Sequence, residues 1–456
     1  MTGAQSAALL RKYNVPGPRY TSYPAVPYWE TAPTAGQWLQ HVAAAIEADT
    51  GGGASIYVHV PFCRSLCTYC GCNMRVTRSR APVMPYVQSV LREHALYLQG
   101  LGRDGLRLGE LHLGGGTPTF LDAGELDALV SGLLERATLA PGASLSIEVD
   151  PRTTTREQLQ VLARHGFDRI SLGVQDFDPR VQDIVNRIQS EQQVREVTET
   201  ARELGFRSVN FDLIYGLPLQ TQSSIAETMD AVARLRPDRI AFYAYAHVPW
   251  IKPSQRRFTE ADLPEGEARL QLLALGRQRL AAAGYVEIGM DHFALPDDTL
   301  TQAAREGLLH RNFMGYTQSF TTPLLGLGVS SIGDAGDAYV QNEKNLQQYE
   351  ARIAQDELPI VRGHLFDDED RVLRRHILNL MTRFRTQWEP GGEQSRYLAD
   401  VPARLQELQQ DGLVRIDGTR VDVTEAGRSF LRNVCMAFDA RLMRRAPATQ
   451  LFSQTV

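Results

Sequence analysis

Between residues 55 and 246, short apolar runs alternate with longer stretches of helical character. The runs at 55–60, 107–113, 144–149, 169–174, 208–214 and 239–245 have strand length, and helical stretches at 85–98, 125–134, 156–164, 191–204 and 224–234 separate them. Strand then helix, repeated, implies a parallel sheet with helical crossovers. Six such units are too few to close an eight-fold barrel. The expected fold class is therefore α/β, an open, partial (β/α)6 barrel whose functional residues sit at the C-terminal ends of its strands.

The flanks read differently. Residues 1–54 are expected to be a largely irregular arm, because Asn14-Val-Pro-Gly-Pro-Arg-Tyr-Thr-Ser-Tyr-Pro24 has proline every few positions. Only 34–48 looks helical there. Within that arm Arg19, Tyr20, Thr21, Ser22 and Tyr23 crowd donors and aromatic faces together. From 247 to about 360 the pattern gives loops at 250–253 and 293–298, a helix at 265–283 and a sheet extension at 285–290. Glycine and polar groups at 308–316 and 325–333 are typical of binding loops. Beyond 364, helices at 367–383, 403–410 and 425–434 surround a hairpin at 413–424 with Asp417-Gly418 in its turn. The organisation expected is an arm (1–54), a barrel with extension (55–360) and a smaller, mostly helical, winged-helix-like C-terminal domain (361–456).

Composition narrows the function. With 43% hydrophobic and 22% charged residues the chain is an ordinary globular one, and 48 basic against 53 acidic residues leave a net charge of −5. No global field draws it to nucleic acid or anionic lipid, and the C-terminal hairpin carries no basic stripe. Residues 1–30 lack the basic-then-apolar pattern of a signal peptide, and no apolar stretch approaches the roughly 18 residues of a membrane span. Four of the five cysteines fall within residues 63–72. Clustered thiols of this kind favour a reducing, cytoplasmic setting and a metal or redox site over disulfides. Cys435 stands alone and is expected to be a buried structural thiol.

The cysteines lie in Tyr57-Val-His-Val-Pro-Phe-Cys63-Arg-Ser-Leu-Cys67-Thr-Tyr-Cys70-Gly-Cys72-Asn, directly after the first strand. Cys63, Cys67 and Cys70 have the spacing C-x3-C-x2-C. Zinc normally takes a fourth ligand from a second knuckle, and the chain offers no second CxxC or HxxxH. Iron–sulfur clusters accept thiolates from one such loop. Three ligands on a four-iron cube leave one iron open to a substrate or cofactor. Gly114-Gly115-Gly116-Thr117 ends the second strand, where the backbone can approach a ligand without a Cβ clash. Glu148 is a carboxylate at the rim of the third strand, suited to paired hydroxyls or to an ion pair with an arginine.

These residues resemble the signature of the radical S-adenosylmethionine (SAM) enzymes, whose open iron chelates the methionine end of SAM. The wider stretches His-Val-Pro-Phe-Cys63, Cys70-Gly-Cys72-Asn73, His112-Leu-Gly-Gly-Gly-Thr117-Pro-Thr, Ile147-Glu148-Val-Asp-Pro, Leu172-Gly-Val-Gln175-Asp-Phe and Asp212-Leu-Ile-Tyr-Gly-Leu-Pro218 are similar to one branch, the oxygen-independent coproporphyrinogen III oxidases. That resemblance implies a [4Fe-4S] cluster on Cys63, Cys67 and Cys70, with Cys72 a neighbour rather than a ligand. It implies a cluster-bound SAM at Tyr57, Gly115, Glu148 and Ile332, and a second SAM at Tyr69, Gly116, Thr117, Gln175, Arg187, Asp212 and Ala246. Without a ligand, Arg187 and Asp212 would most simply form a structural salt bridge.

The activity implied is oxidative decarboxylation of two propionates of coproporphyrinogen III to vinyls, through a 5′-deoxyadenosyl radical. No side chain need act as acid or base, since the cofactor carries the chemistry. The arm is expected to fold over the site, and the working form to be a monomer served by an external electron donor of flavodoxin or ferredoxin type. Four propionates call for cationic partners, for which Arg19, Arg75, Arg78, Lys252, Arg256, His310 and Arg311 are candidates. The competing reading is a haem-binding chaperone of the same family without decarboxylase activity. Cys72 argues against it, because that branch usually has phenylalanine there.

Overall fold

The structure, a computed structural model, describes residues 3–30, 32–318, 321–445 and 451–455. All six strand-length runs form strands: β1 (Ala54–Val60), β2 (Leu106–Gly115), β3 (Ala137–Val149), β4 (Arg169–Gln175), β5 (Ser208–Tyr215) and β6 (Arg239–Ala244). They pair in parallel in that order within an open, 12-stranded sheet. The crossover helices include Val83–Gly100, Ala123–Leu134, Arg156–Arg164, Glu191–Glu203 and Gln222–Leu235. Four of them start at a side-chain cap, Asp122, Thr155, Ser190 or Thr221, that accepts the amide three residues on.

Each barrel strand divides its side chains between two faces. In β4, Ile170, Leu172 and Val174 are buried in the main hydrophobic core, whereas Arg169, Ser171, Gly173 and Gln175 face the interior cavity. In β5, Val209, Phe211 and Leu213 do the former and Ser208, Asn210 and Asp212 the latter. The strand period of two thus builds an apolar outer face beneath the helices and a polar inner one.

Several elements depart from the sequence reading. Gly3–Tyr13 is a helix, so the arm is not irregular at its start; the run of helix formers there ends before Pro16. The stretch read as a binding loop at 325–333 instead supplies strand Leu324–Leu327, which pairs in parallel with β1, and Ile332–Asp334, antiparallel beyond it. Gly326 and Gly328 hide that strand in the sequence. Added side chains would run into the Ile332 backbone and into Tyr86 and His59, respectively. His292–Ala294, read as the start of a loop, pairs antiparallel with β6 and carries Val286–Glu287 at the sheet's edge. Residues 308–316 form part of the ribbon His310–Asn312/Gly315–Thr317. The helix expected at 425–434 is a 3-10 turn, Ala426–Phe430, followed by Leu431–Met436, because Gly427 packs directly on the Leu413 carbonyl.

The C-terminal elements match the winged-helix-like expectation: Asp368–Arg383 and Val401–Gln410 stand beside a sheet ordered Arg385–Gln387, Arg420–Val423, Val414–Asp417. Their core also buries Leu10, Tyr13, Tyr20 and Tyr23 of the arm. Cys435 lies in it, fully buried. Among the described residues no helix is long and apolar enough to cross a membrane.

One buried acid ties the barrel's first crossover helix to the loop after Leu324–Leu327. Glu93 is 0% exposed and accepts from Gly328 N (2.7 Å), Tyr349 Oη (2.6 Å) and Asn342 Nδ2 (2.6 Å). Burial nevertheless pushes its carboxyl up to about 7. Glu93→Ala, which orphans three donors, is expected to cost roughly 2–4 kcal/mol, read as a lowered urea midpoint. Because the folded pKa is raised, Glu93 contributes stability that is full below about 4.5 and lost as pH rises through about 7. Glu93→Gln should flatten that slope between pH 5 and 8, and an unchanged slope would refute the assignment.

Candidate functional site

A cavity of about 670 Å³ runs down the inner face of the sheet from the cysteine loop. Cys63, Cys67, Cys70 and Cys72 all line it. Cys63 Sγ is 3.4 Å from Thr117 Oγ1, and Cys70 Sγ accepts the Cys72 amide at 3.4 Å. Cys67 Sγ accepts from Arg152 Nη2 at 3.7 Å and Arg187 Nη1 at 3.6 Å. Both guanidiniums are held by Asp150, at 2.6 and 3.3 Å. Although burial opposes it, the two arginines hold the Asp150 carboxyl below its usual range. Burial raises the Cys63 thiol to about 11, while hydrogen bonding with Cys72 draws Cys70 down to about 6.

The donor set fits an iron–sulfur cluster. Among the described residues no three His, Cys, Asp or Glu converge as a single metal ion requires. A cluster spreads its ligands over several metals, and the loop brings soft thiols to one wall, with the Arg152 and Arg187 guanidiniums hydrogen-bonded to Cys67 Sγ.

The glycine run has a structural reason as well as a chemical one. Gly115 has φ +112°, and a Cβ there would lie 2.8 Å from the His59 ring; at Gly116 it would meet the Pro61 backbone at 2.9 Å. The Gly115 amide donates to Glu148 Oε2 at 3.1 Å, and His112 Nε2 lies 3.4 Å from Oε1. Among the described residues no arginine pairs with Glu148, whose ion-pair partner is His112 rather than the arginine of one sequence reading. Burial opposes ionisation, but His112 and the Gly115 amide hold this carboxyl below its ordinary value. Tyr57 stacks on His112 with ring centroids 5.8 Å apart.

Arg187 and Asp212 do not form the salt bridge expected of them in the absence of a ligand. Arg187 pairs with Asp150 and donates to Gly173 O, whereas Asp212 accepts from Ser171 Oγ (3.0 Å) and Asn210 Nδ2 (2.9 Å). Gln175 ends β4 in a left-handed conformation, φ +69°, a strained placement for a residue with a side chain. The cavity brings together Cys63, Cys67, Cys70, Tyr69, Gly115, Gly116, Thr117, Glu148, Gln175, Arg187 and Asp212. Tyr57, Ala246 and Ile332 are not among its lining residues. Ala246 O shares the Gln255 amide with Tyr69 O, and Ile332 packs beside Trp29, Tyr339 and Phe366.

None of the seven cations named as propionate partners lines the cavity. Arg19 donates to Ala244 O at 2.6 Å, Lys252 to Cys72 O at 3.1 Å and Arg256 to Pro249 O at 3.1 Å. The arginines that do line it are Arg64, Arg152, Arg169, Arg187 and Arg239. Sequence reasoning missed Asp150, Arg152, Arg169 and Arg239. The period-two alternation within β4 and β6 is the signal that could have found the strand residues among them, Arg169 and Arg239.

The radical SAM superfamily pattern matches residues 57–232. The chain is 42% identical over 444 residues to the oxygen-independent coproporphyrinogen III oxidase of Pseudomonas aeruginosa, covering 96% of each chain. It is 42% identical over 456 residues to that of Escherichia coli, covering 98% of each. The solved structure of coproporphyrinogen III oxidase from Escherichia coli, described as a radical SAM enzyme, superposes with a TM-score of 0.87 at 41% identity, covering 95% of this chain and 98% of that one. With likeness of sequence and of fold both nearly complete, the chain belongs to the oxygen-independent coproporphyrinogen III oxidase family of the radical SAM superfamily.

Proposed function

We propose that this chain is a coproporphyrinogen dehydrogenase, an oxidoreductase of haem and porphyrin biosynthesis that converts coproporphyrinogen III to protoporphyrinogen IX without oxygen. Each of two propionates loses a hydrogen atom, an electron and CO2 and becomes a vinyl group. The observation that carries the reading is the near end-to-end kinship with enzymes of that name, joined to a thiol loop opening on one polar cavity. A [4Fe-4S] cluster on Cys63, Cys67 and Cys70, together with SAM, supplies the hydrogen-abstracting radical.

The chain's own residues bind and orient. Asp150 fixes Arg152 and Arg187 against Cys67. Ionised Glu148 presents acceptors to the ribose hydroxyls of a SAM bound by Tyr57, Gly115 and Ile332. Tyr69, Gly116, Thr117, Gln175, Arg187, Asp212 and Ala246 take a second SAM beside it. The arm (1–54), held on the C-terminal core (361–456) and touching β6 through Arg19, covers the barrel part (55–360). The chain works as a cytoplasmic monomer, and an external flavodoxin- or ferredoxin-type protein supplies electrons. The clustered free thiols support the reducing compartment.

The deciding experiment is an anaerobic assay of reconstituted protein with SAM, a strong reductant and coproporphyrinogen III. Tri- and dicarboxylic products should form and vanish in Cys67→Ala. SAM cleavage with no decarboxylation would overturn the reading. A second expectation concerns pH. Burial first, and the charge of Glu148 second, push Asp212 up to about 7. SAM brings positive charge, which the ionised carboxylate prefers. Affinity for the second SAM should therefore rise with pH up to about 7, by as much as about tenfold per unit below it. In Asp212→Asn the equilibrium-dialysis profile should be flat relative to the unsubstituted protein, and identical profiles would remove Asp212 from that site.

A further inference from the structure

At the end of the cavity opposite the cysteine loop, the strands start rather than finish, and two arginines line the wall there. Arg169 opens β4 and Arg239 opens β6. Ser146 and Ser208 flank Arg169 in register on the neighbouring strands. Arg239 is 4% exposed and spends its Nε on Asp298, at 2.9 Å, but its Nη1 is buried with no hydrogen-bond partner. Among the described residues the Arg169 side chain has no hydrogen-bond or ion-pair partner, and only longer-range charges act on it. Glu110, the carboxylate lining the same end, accepts from Ser55 and is not within ion-pair distance of either guanidinium. Burial, and then the like charge of Arg239, push Arg169 down to about 10. A guanidinium placed inside a cavity with its fork uncommitted, beside a second with an orphaned Nη1, is a binding element awaiting an anion.

We propose that Arg169 and Arg239 form a carboxylate subsite on the cavity floor. The proposal rests on the function given above, which offers two carboxylate sources: a propionate arm of the tetrapyrrole and the methionine carboxylate of a SAM. Arg169 is the primary anchor because its planar fork is free for bidentate pairing. Arg239 contributes the N–H donors of its unpartnered Nη1. Both are positioning residues.

The test compares Arg169→Gln and Arg169→Lys with the unsubstituted enzyme in three measurements: thermal midpoint, SAM binding by equilibrium dialysis, and fluorescence titration with coproporphyrin III, the unreactive oxidised form bearing the same four carboxylates. The tetramethyl ester of coproporphyrin III is the control. If the anion is a propionate, Arg169→Gln weakens coproporphyrin III binding and raises the coproporphyrinogen KM by about 10- to 100-fold. Ester binding, SAM binding and the thermal midpoint stay unchanged, and Arg169→Lys recovers part of the loss. If the anion comes from SAM, the loss falls on SAM binding instead. Unchanged binding of both ligands overturns the subsite, as does equal loss of the acid and its ester. Should Arg169→Gln fail to fold, Arg169→Lys alone decides, since it keeps the charge but not the fork. Absence of decarboxylation in the unsubstituted enzyme would overturn the enzymatic reading, while the binding titrations would still read the subsite.

Discussion

A sheet covered by helices on one face has to hide its apolar side chains there, and that requirement shapes everything inside this barrel. Because side chains alternate, each residue buried beneath a helix sends its neighbour inward. Register then aligns the inward residues into rows. Tyr57, His112, Ser146, Arg169 and Ser208 lie side by side across β1 to β5, and Glu148, Ser171, Asn210 and Arg239 form the next row across β3 to β6. A slip of one residue would turn a polar row into the core and an apolar one into the cavity. The outer core of Ile, Leu, Val and Phe therefore does more than stabilise. It fixes which polar groups meet.

Within this lining the charges are settled to different degrees. Asp150 is committed to two guanidiniums, and Glu148 to a histidine and an amide. Taking either acid away would leave buried charge or donors uncompensated, which costs far more than the pair contributes. Asp212 accepts from neutral donors, and the Arg169 side chain has no hydrogen-bonding partner among the described residues. The gradient is meaningful: groups that shape the cysteine loop are already paired, while those facing the middle and floor of the cavity retain capacity that a charged ligand can use.

The two ends of the chain are tied together beside this cavity. Arg432 donates to Pro18 O at 2.9 Å and Gln454 O at 2.7 Å, Tyr20 Oη reaches Asp439 at 3.0 Å, and Pro16 bridges Gln454. The arm's polar run is thereby pinned between the C-terminal core and β6, where Arg19 meets Ala244 O and lies 6.0 Å from the Tyr243 ring. Tyr243 lines the cavity on its other side. Proline prevents this segment from satisfying its backbone in a helix or a central strand, so the Arg432 guanidinium and the facing chain end satisfy it instead.

Local chemistry was legible in the sequence, and long-range pairing was not. The thiol loop, the glycine run and the six strands with their helices depend on neighbours along the chain, so spacing and composition reveal them. Leu324–Leu327 owes its strand to β1, more than 260 residues earlier in the chain, and glycines needed for close approach make it look like a loop. Arg187 was matched with the wrong acid for a related reason: Asp150 and Asp212 are both inward-facing, and only the fold of the loop after Gln175 decides which one it reaches. The floor arginines were hidden differently. Counting β4 as one apolar run averages Arg169-Ile-Ser-Leu-Gly-Val-Gln175 into a strand and discards its alternation. Read at period two, the same seven residues separate into Ile170, Leu172 and Val174 for the core and Arg169, Ser171, Gly173 and Gln175 for the cavity. A charged residue on the inner register of a barrel strand is a statement about ligand chemistry, because a core position would not tolerate it unpaired.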